Sequence, residues 1–143
     1  TWYGLFDKEG NSFGAVDEMN YYWTGKRPET LAPRIEDRSA MTMNGKTADD
    51  AVVVAASSRN TATVTATSPS GAALTYEWMI YLEGSAASDG SLPDGMPGLI
   101  DDNTKSTISF AAPSDAGNYR LVVFVHDNAN RKVASAVIPF QVQ

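Results

Sequence analysis

The sequence of 143 residues contains no cysteine. This absence excludes disulfides, thiolate metal sites and cysteine nucleophiles. Because His126 is the only histidine, we expect neither a zinc cage nor a His-based catalytic triad. No window approaches about 18 consecutive apolar residues, the length typical of a transmembrane helix. The sequence therefore predicts no cofactor and no membrane span.

Basic residues are also scarce. The chain has 11 Lys and Arg against 17 Asp and Glu, which gives a formal net charge of −6 and a pI of about 4.6. A nucleic-acid binder needs a basic stripe that neutralises phosphates, and none is present, so nucleic acid is excluded as a partner. With 43% hydrophobic and 20% charged residues, the composition is that of an ordinary globular protein.

The first 33 residues predict a strand, a turn and a helix. The run "TWYGLF" (1–6) is short and apolar, and "DKEGN" (7–11) is typical of a turn. Ser12 is the candidate N-cap of the helix, and Gly25 its C-cap. The following stretch "GKRPETLAPR" (25–34) predicts a linker, because its two prolines oppose both helix and central strand.

Apolar residues recur at near-helical spacing within this segment, which predicts a broad apolar helix face. The residues of that face are Phe13, Val16, Met19, Tyr22 and Trp23. Aromatic side chains can stack on sugars, but core packing is the favoured interpretation for this set. An isolated strand and helix would not be stable. We therefore expect them to pack on the rest of the chain or on a second copy, as a homo-oligomer formed through the helix.

From residue 34 onward no helix is predicted, and short β-branched runs alternate with Gly, Pro, Asn, Asp and Ser. The run "TATVTAT" (61–67) alternates strictly, as a half-buried strand does. The predicted strands are 38–43, 51–56, 61–67, 74–82, 106–111, 118–126 and 132–142. We therefore predict an immunoglobulin-like antiparallel β-sandwich of about seven strands over 34–143, preceded by a short strand and one α-helix over 1–33.

One motif supports the immunoglobulin-like arrangement. In such sandwiches a tyrosine near the start of the sixth strand hydrogen-bonds back to the preceding corner. The residues that match this corner are Asp115, Gly117 and Tyr119. Trp78 is placed like the buried tryptophan of the third strand, while Val64 and Leu121 stand where antibody domains carry a disulfide. All of these residues are interpreted as scaffold.

No constellation predicts catalysis or a metal site. Carboxylates adjacent in sequence point to opposite faces of an extended segment, so we interpret them as solvated. These pairs are Asp17–Glu18, Glu36–Asp37, Asp49–Asp50 and Asp101–Asp102. The stretches "DDNT" (101–104) and "DNAN" (127–130) offer oxygen ligands for calcium, but turns explain them more simply. His126 is expected to point outward at a strand end, and the Gly- and Ser-rich stretch 83–105 is expected to form a functional or mobile loop.

Two stretches resemble a known family. "WYGLFDKEGNSFGAVDEMNYYWTGKRPETLAPRI" (2–35) and "ISFAAPSDAGNYRLVVFVHDNANRKVASAVIPFQV" (108–142) resemble the C-terminal region of bacterial (β/α)8-barrel glycoside hydrolases that degrade polysaccharides. The resemblance implies that 1–33 holds the last βα unit of a barrel and that the chain is a C-terminal piece of a larger enzyme. It also implies that Trp2 lies at the barrel mouth and stacks on the sugar. The catalytic glutamates of such enzymes lie upstream, and no glutamate here matches them.

The implied function is a non-catalytic accessory module of a secreted hydrolase, located outside the cell, in the periplasm or on the outer cell surface of a bacterium. Its partners would be the catalytic barrel, which it braces, and polysaccharide, which it helps to bind. The alternative is an adhesion or protein-docking immunoglobulin-like domain of a cell-surface protein. A self-sufficient enzyme is disfavoured, since no nucleophile–base pair, phosphate loop or metal cluster is present.

Overall fold

A computed structural model describes residues 4–85 and 93–143, and it shows two β-sheets packed face to face with one helix beside them. The strands in these two ranges are β1 (Ser12–Phe13), β2 (Met41–Met43), β3 (Val52–Val54), β4 (Arg59–Val64), β5 (Thr75–Leu82), β6 (Thr107–Ala111), β7 (Gly117–Asp127) and β8 (Lys132–Val142). Helix α1 spans Gly14–Thr24, and a short 3-10 helix spans Arg38–Ala40. No helix within the described ranges has the length and apolarity needed to cross a membrane.

The order of the strands is that of an immunoglobulin-like sandwich. One sheet runs β2-β4-β6, and the other runs β8-β7-β5 with β1 and β3 both added along β8. The first sheet corresponds to strands A, B and E of an immunoglobulin domain, and β5, β7 and β8 correspond to C, F and G. Pairing is antiparallel except where β1 and β3 run parallel to β8. The predicted fold class is confirmed.

The core lies between the two sheets, and period-two alternation builds it. Along β4, buried Ala62 and Val64 alternate with exposed neighbours, as expected for a strand with one face in the core. Leu121 on β7 is fully buried in the same core cluster as Val64. Trp78 on β5 is 1% exposed, and its indole N–H donates to the Lys105 carbonyl at 2.7 Å. The two sheets are therefore joined by apolar contacts where antibody domains use a disulfide.

The tyrosine corner holds the start of β7. The Tyr119 hydroxyl donates to the Asp115 carbonyl at 2.9 Å, and the Tyr119 ring stacks on Phe140 with centroids 5.7 Å apart. A Cβ on Gly117 would lie 3.4 Å from the Tyr119 ring, so the glycine lets the ring close over the backbone. Both residues therefore serve the scaffold.

Tyr119→Phe is expected to lower the free energy of unfolding by about 1 kcal/mol, because the ring remains while the hydroxyl's hydrogen bond to the Asp115 carbonyl is lost. Urea denaturation followed by circular dichroism measures the change. Tyr22→Phe is the matched control, since Tyr22 is 80% exposed. Equal midpoints for Tyr119→Phe and the parent protein would contradict a stabilising corner.

The N-terminal segment, defined here as residues 4–33, differs from the prediction at its start. Residues 1–3 of the predicted strand lie outside the described residues, and Phe6 forms only an isolated bridge with Ser12. The strand is instead Ser12–Phe13, because the Ser12 N–H donates to the Arg131 carbonyl at 3.0 Å beside β8. Ser12 is thus not the N-cap. Phe13 holds that position and makes no side-chain cap hydrogen bond.

The C-terminal end of α1 follows the prediction. Gly25 adopts a left-handed conformation with φ 71°, and its N–H donates to the Tyr21 carbonyl at 2.8 Å. Glycine is favoured there because a side chain at positive φ is strained. The chain then runs to Arg34, whose backbone exchanges two 2.9 Å hydrogen bonds with Thr67 after β4. The linker is therefore fastened to the sandwich at its far end.

Candidate functional site

Helix α1 turns its aromatic side chains toward solvent. Tyr22 and Trp23 are each 80% exposed and Tyr21 is 40% exposed. The interpretation as core packing is wrong for Tyr22 and Trp23, whereas Phe13, Val16 and Met19 of the same predicted face are partly buried. The buried residue of α1 is Asp17, which is 3% exposed.

Asp17 fixes the helix to the sandwich by charge. One carboxylate oxygen pairs with the Lys132 ammonium at the start of β8, and the other accepts the Ala32 N–H at 2.7 Å. The two ionic side chains are only 4% and 12% exposed. The interpretation of Asp17 as solvated is therefore wrong, whereas Glu18 is half exposed and pairs with Arg27. Any rotation of α1 that separated Asp17 from Lys132 would leave two buried charges unpaired, which is strongly unfavourable. The ion pair therefore fixes the orientation of α1.

The aromatic end of α1, defined as Tyr21, Tyr22 and Trp23, is an ordered surface. The rings of Tyr21 and Tyr22 meet edge to face with centroids 5.9 Å apart. The Arg27 guanidinium lies 4.9 Å from the Tyr21 ring centroid while it pairs with Glu18. Among the described aromatic side chains, only these three and Phe6 are 40% or more exposed. Clustered exposed aromatics commonly mark a contact site.

A cleft of about 630 Å³ opens on the outer face of the β5–β7 pair. The turn at 7–9 forms one side, and residues 93–100 form the other. Outward residues of β5 and β7 form the base, among them Met79 and Phe124. Four carboxylates line it, those of Asp7, Glu9, Glu77 and Asp94. We call this site the acidic cleft.

His126 lies in the wall of the acidic cleft between two carboxylates. Its Nδ1 is 3.7 Å from Asp7 Oδ2, and its Nε2 is 3.7 Å from Glu77 Oε2. Both distances exceed a hydrogen bond, and the buried Nδ1 has no partner among the described residues. His126 points away from the core, as predicted, but it is only 9% exposed because the turn at 7–9 covers it. The outward placement is as predicted, and the burial of the side chain is an addition from the structure.

The two carboxylates beside His126 differ in availability. Both oxygens of Asp7 accept hydrogen bonds within its own turn, from the N–H groups of Glu9 and Asn11 and from the Asn11 amide. Glu77 is one-third exposed, and its nearest cation is Lys8 at 4.0 Å. Burial raises the pKa of the Tyr81 hydroxyl, and the carboxylates of Glu77 and Asp94 raise it further. The cleft therefore holds more carboxylates than cations, and Glu77 accepts no hydrogen bond from the described residues nearest to it, Lys8 and His126.

Both calcium candidates form local turns. Asp102 accepts the backbone N–H and the hydroxyl of Thr104, and Asp127 accepts the backbone N–H and amide of Asn130. These turn hydrogen bonds, with Lys105 3.9 Å from the other Asp102 oxygen, account for both carboxylates without a cation. No group of three His, Asp or Glu residues within 4–85 and 93–143 is arranged to hold a metal ion.

The remaining predicted site residues are not brought together. Trp2 lies outside the described residues. Trp78, Gly117 and Tyr119 belong to the core or its corner. The sequence carries two signals for the acidic cleft, the single histidine at a strand end and the long stretch 83–105. Their proximity depends on the pairing of β5 with β7.

Compared with known proteins, the chain matches no protein-family model and no curated protein. The fold defines its class, an immunoglobulin-like β-sandwich with a helical N-terminal segment. Its function must be inferred from its surfaces.

Proposed function

We propose that the chain is a non-catalytic accessory module of a secreted bacterial glycoside hydrolase that acts on polysaccharide, and that it braces the catalytic (β/α)8 barrel. The observation that carries this proposal is the aromatic end of α1, presented on a helix that a buried ion pair holds. The resemblance of residues 2–35 to the end of such a barrel supports the identity of the partner.

The free energy of burying apolar side chains favours a partner that covers the aromatic end of α1. Burying one large apolar side chain contributes about 2 kcal/mol, and Tyr22 and Trp23 are both mostly exposed in this chain. Since Asp17 and Lys132 hold the opposite side of α1, the aromatic end cannot turn toward the sandwich without separating a buried ion pair. A second folded unit that covers Tyr22 and Trp23 would therefore be joined rigidly to the sandwich.

Bracing is favoured over sugar binding and over catalysis. A row of exposed aromatics along a sandwich strand would form a flat platform for a sugar, and the described strands β2–β8 carry none. Among the described residues, both ring nitrogens of His126 face carboxylates, and the hydroxyl of Tyr81, which lines the cleft, is directed to the Met79 sulfur instead. The described part of the chain thus supplies neither a nucleophile–base pair nor a sugar platform.

The coding DNA upstream of the Thr1 codon tests the proposal directly. We expect the same reading frame to encode a (β/α)8 barrel with two catalytic carboxylates, because both hydrolysis mechanisms require the pair. A frame without a barrel would overturn the proposal. The alternative, an adhesion or docking domain whose aromatic end binds a separate protein, would then be favoured by the same exposed surface.

The variant Tyr22→Ser/Trp23→Ser is expected to lower the thermal stability of the barrel-containing protein, because two contacts of about 2 kcal/mol each are lost. The same pair of changes should leave the isolated chain within about 0.5 kcal/mol of its parent, since both residues are exposed there. Differential scanning calorimetry measures both. Val137→Ser, also at an exposed site, is the control, and equal melting of the variant and parent full-length proteins would contradict bracing.

Retention on insoluble cellulose and xylan tests the sugar-binding form of the proposal. For a bracing module we expect no retention of the purified chain. Retention that disappears in Trp23→Ser would instead assign the aromatic end of α1 to polysaccharide, and it would overturn bracing as its role.

A further inference from the structure

We infer that the acidic cleft binds an organic cation with an apolar stem, the chemistry of an arginine or lysine side chain, through the Glu77 carboxylate above a base of Met79 and Phe124. This site is separate from the aromatic end of α1, and the inference does not depend on the proposed function.

The size and lining of the cleft fit such a ligand. Its volume of about 630 Å³ lies within the range of small-molecule sites, which is about 300–1,000 Å³. Apolar groups come from Met79, Met96 and Phe124, and they can cover a methylene stem. Asn103 adds a polar group at the edge. A neutral apolar ligand would leave the carboxylates unpaired. A cation on an apolar stem pairs with the carboxylates and also covers the apolar side chains.

The negative charge in the cleft is only partly compensated. Asp7, Glu9, Glu77 and Asp94 line it against a single lysine, Lys8. Lys8 is 72% exposed and lies 4.0 Å from Glu77, so this surface pair contributes little. A guanidinium that forms two parallel hydrogen bonds with Glu77 would be a stronger partner than the distant ammonium.

His126 supplies a second and independent observation. It is 9% exposed, its buried Nδ1 has no hydrogen-bond partner among the described residues, and its Nε2 approaches Glu77 only to 3.7 Å. Buried polar groups almost always have a hydrogen-bond partner, so an unpaired buried histidine indicates that a ligand supplies one. Its Nε2 faces Glu77 Oε2 at 3.7 Å, and a ligand N–H placed beside that carboxylate can donate to the imidazole. A donor that also carries positive charge satisfies both groups at once.

Titration of the protein with small cations tests the inference by calorimetry and by backbone NMR shifts at Gly95. The probes are agmatine, a free guanidinium on an alkyl stem, and N-acetyl-arginine methylamide, which presents the group on a peptide. N-acetyl-citrulline methylamide is the neutral isostere. We expect saturable binding of the guanidinium probes, at least about tenfold tighter than citrulline, because hydrogen bonds between charged groups are the stronger ones. Added salt should weaken this binding.

The variants localise the binding. Glu77→Gln is expected to weaken guanidinium binding about tenfold, while Glu29→Gln removes the same charge outside the cleft and should leave binding unchanged. Asp94→Asn changes an exposed position of the cleft and serves as a second variant if Glu77→Gln destabilises the protein. Stronger binding of the peptide-borne probe would identify a protein ligand, and equal binding would identify a free cation.

Three results would overturn the inference. They are the absence of saturation with either guanidinium probe, equal affinity for citrulline, and equal weakening by Glu29→Gln. Specific uptake of neutral oligosaccharides in the cleft, lost in Glu77→Gln, would replace the cation with a sugar. None of these results bears on bracing by α1.

Discussion

Asp17→Asn is expected to release α1 from the sandwich, so that the amide hydrogens of the helix exchange about 100-fold faster. The variant keeps an oxygen for the Ala32 N–H but leaves the buried Lys132 ammonium without its counter-charge. Breaking one side of a buried ion pair costs about 3 kcal/mol, which corresponds to about 100-fold in an equilibrium. An isolated helix of 11 residues is unstable in water, so the released segment should lose its helicity.

Hydrogen exchange read by mass spectrometry measures this effect region by region. Glu18→Gln is the matched control on the same helix, because the Glu18–Arg27 pair is about half exposed and is worth at most about 1 kcal/mol. Amides of β7 should keep their protection in both variants, since the core does not include Asp17. Unchanged exchange of α1 in Asp17→Asn would show that apolar contacts, and not this ion pair, hold the helix.

Trp78→Ala is expected to lower the free energy of unfolding by about 3–5 kcal/mol. The side chain is 1% exposed, belongs to the core cluster, and donates to the Lys105 carbonyl at 2.7 Å. The substitution leaves a large cavity between the sheets and an unpaired carbonyl. Because domains of this kind are stable by only about 5–15 kcal/mol, a large share of the variant should be unfolded at elevated temperature.

Chemical denaturation followed by circular dichroism measures the loss. Trp78→Phe keeps a six-membered ring but loses part of the buried indole and its hydrogen bond, so it should cost about 2 kcal/mol, less than Trp78→Ala. Trp23→Ala, the same truncation as Trp78→Ala at an 80% exposed site, should stay within about 0.5 kcal/mol of the parent. A Trp78→Ala variant as stable as Trp23→Ala would show that Trp78 is not part of the closed core.

The sandwich could be predicted because its determinants are local. Alternation along β4, the spacing that places Tyr119 after Gly117, and the turns between strands are all short-range features. Such features repeat in each strand, so errors at individual boundaries do not change the fold. The 3-10 helix at 38–40, for example, only shortens a predicted strand.

The orientation of α1 could not be predicted in the same way. Helical periodicity marks an apolar face and assumes that this face is buried. Here the buried group is Asp17, and its partner Lys132 lies 115 residues along the chain. A long-range ion pair leaves no trace in a local pattern, so the aromatic face was assigned to the core when it faces solvent.

The acidic cleft was missed for a related reason. His126 and Glu77 are brought together by the pairing of β5 with β7, and Asp7 is added by the N-terminal segment. Each residue alone is unremarkable in sequence. The single histidine was correctly placed at a strand end, but its burial depends on a turn more than a hundred residues away.

Hydroxyl-radical footprinting of Tyr22 and Trp23, in the isolated chain and in the protein as its cells make it, tests the central claim most directly. The account predicts that both side chains are readily oxidised in the isolated chain, where each is 80% exposed, and protected in the cellular protein by the body that covers α1. Val137 and Leu82, exposed on the sandwich, serve as internal standards that should react equally in both samples. Equal oxidation of Tyr22 and Trp23 in the two samples would contradict a bracing role.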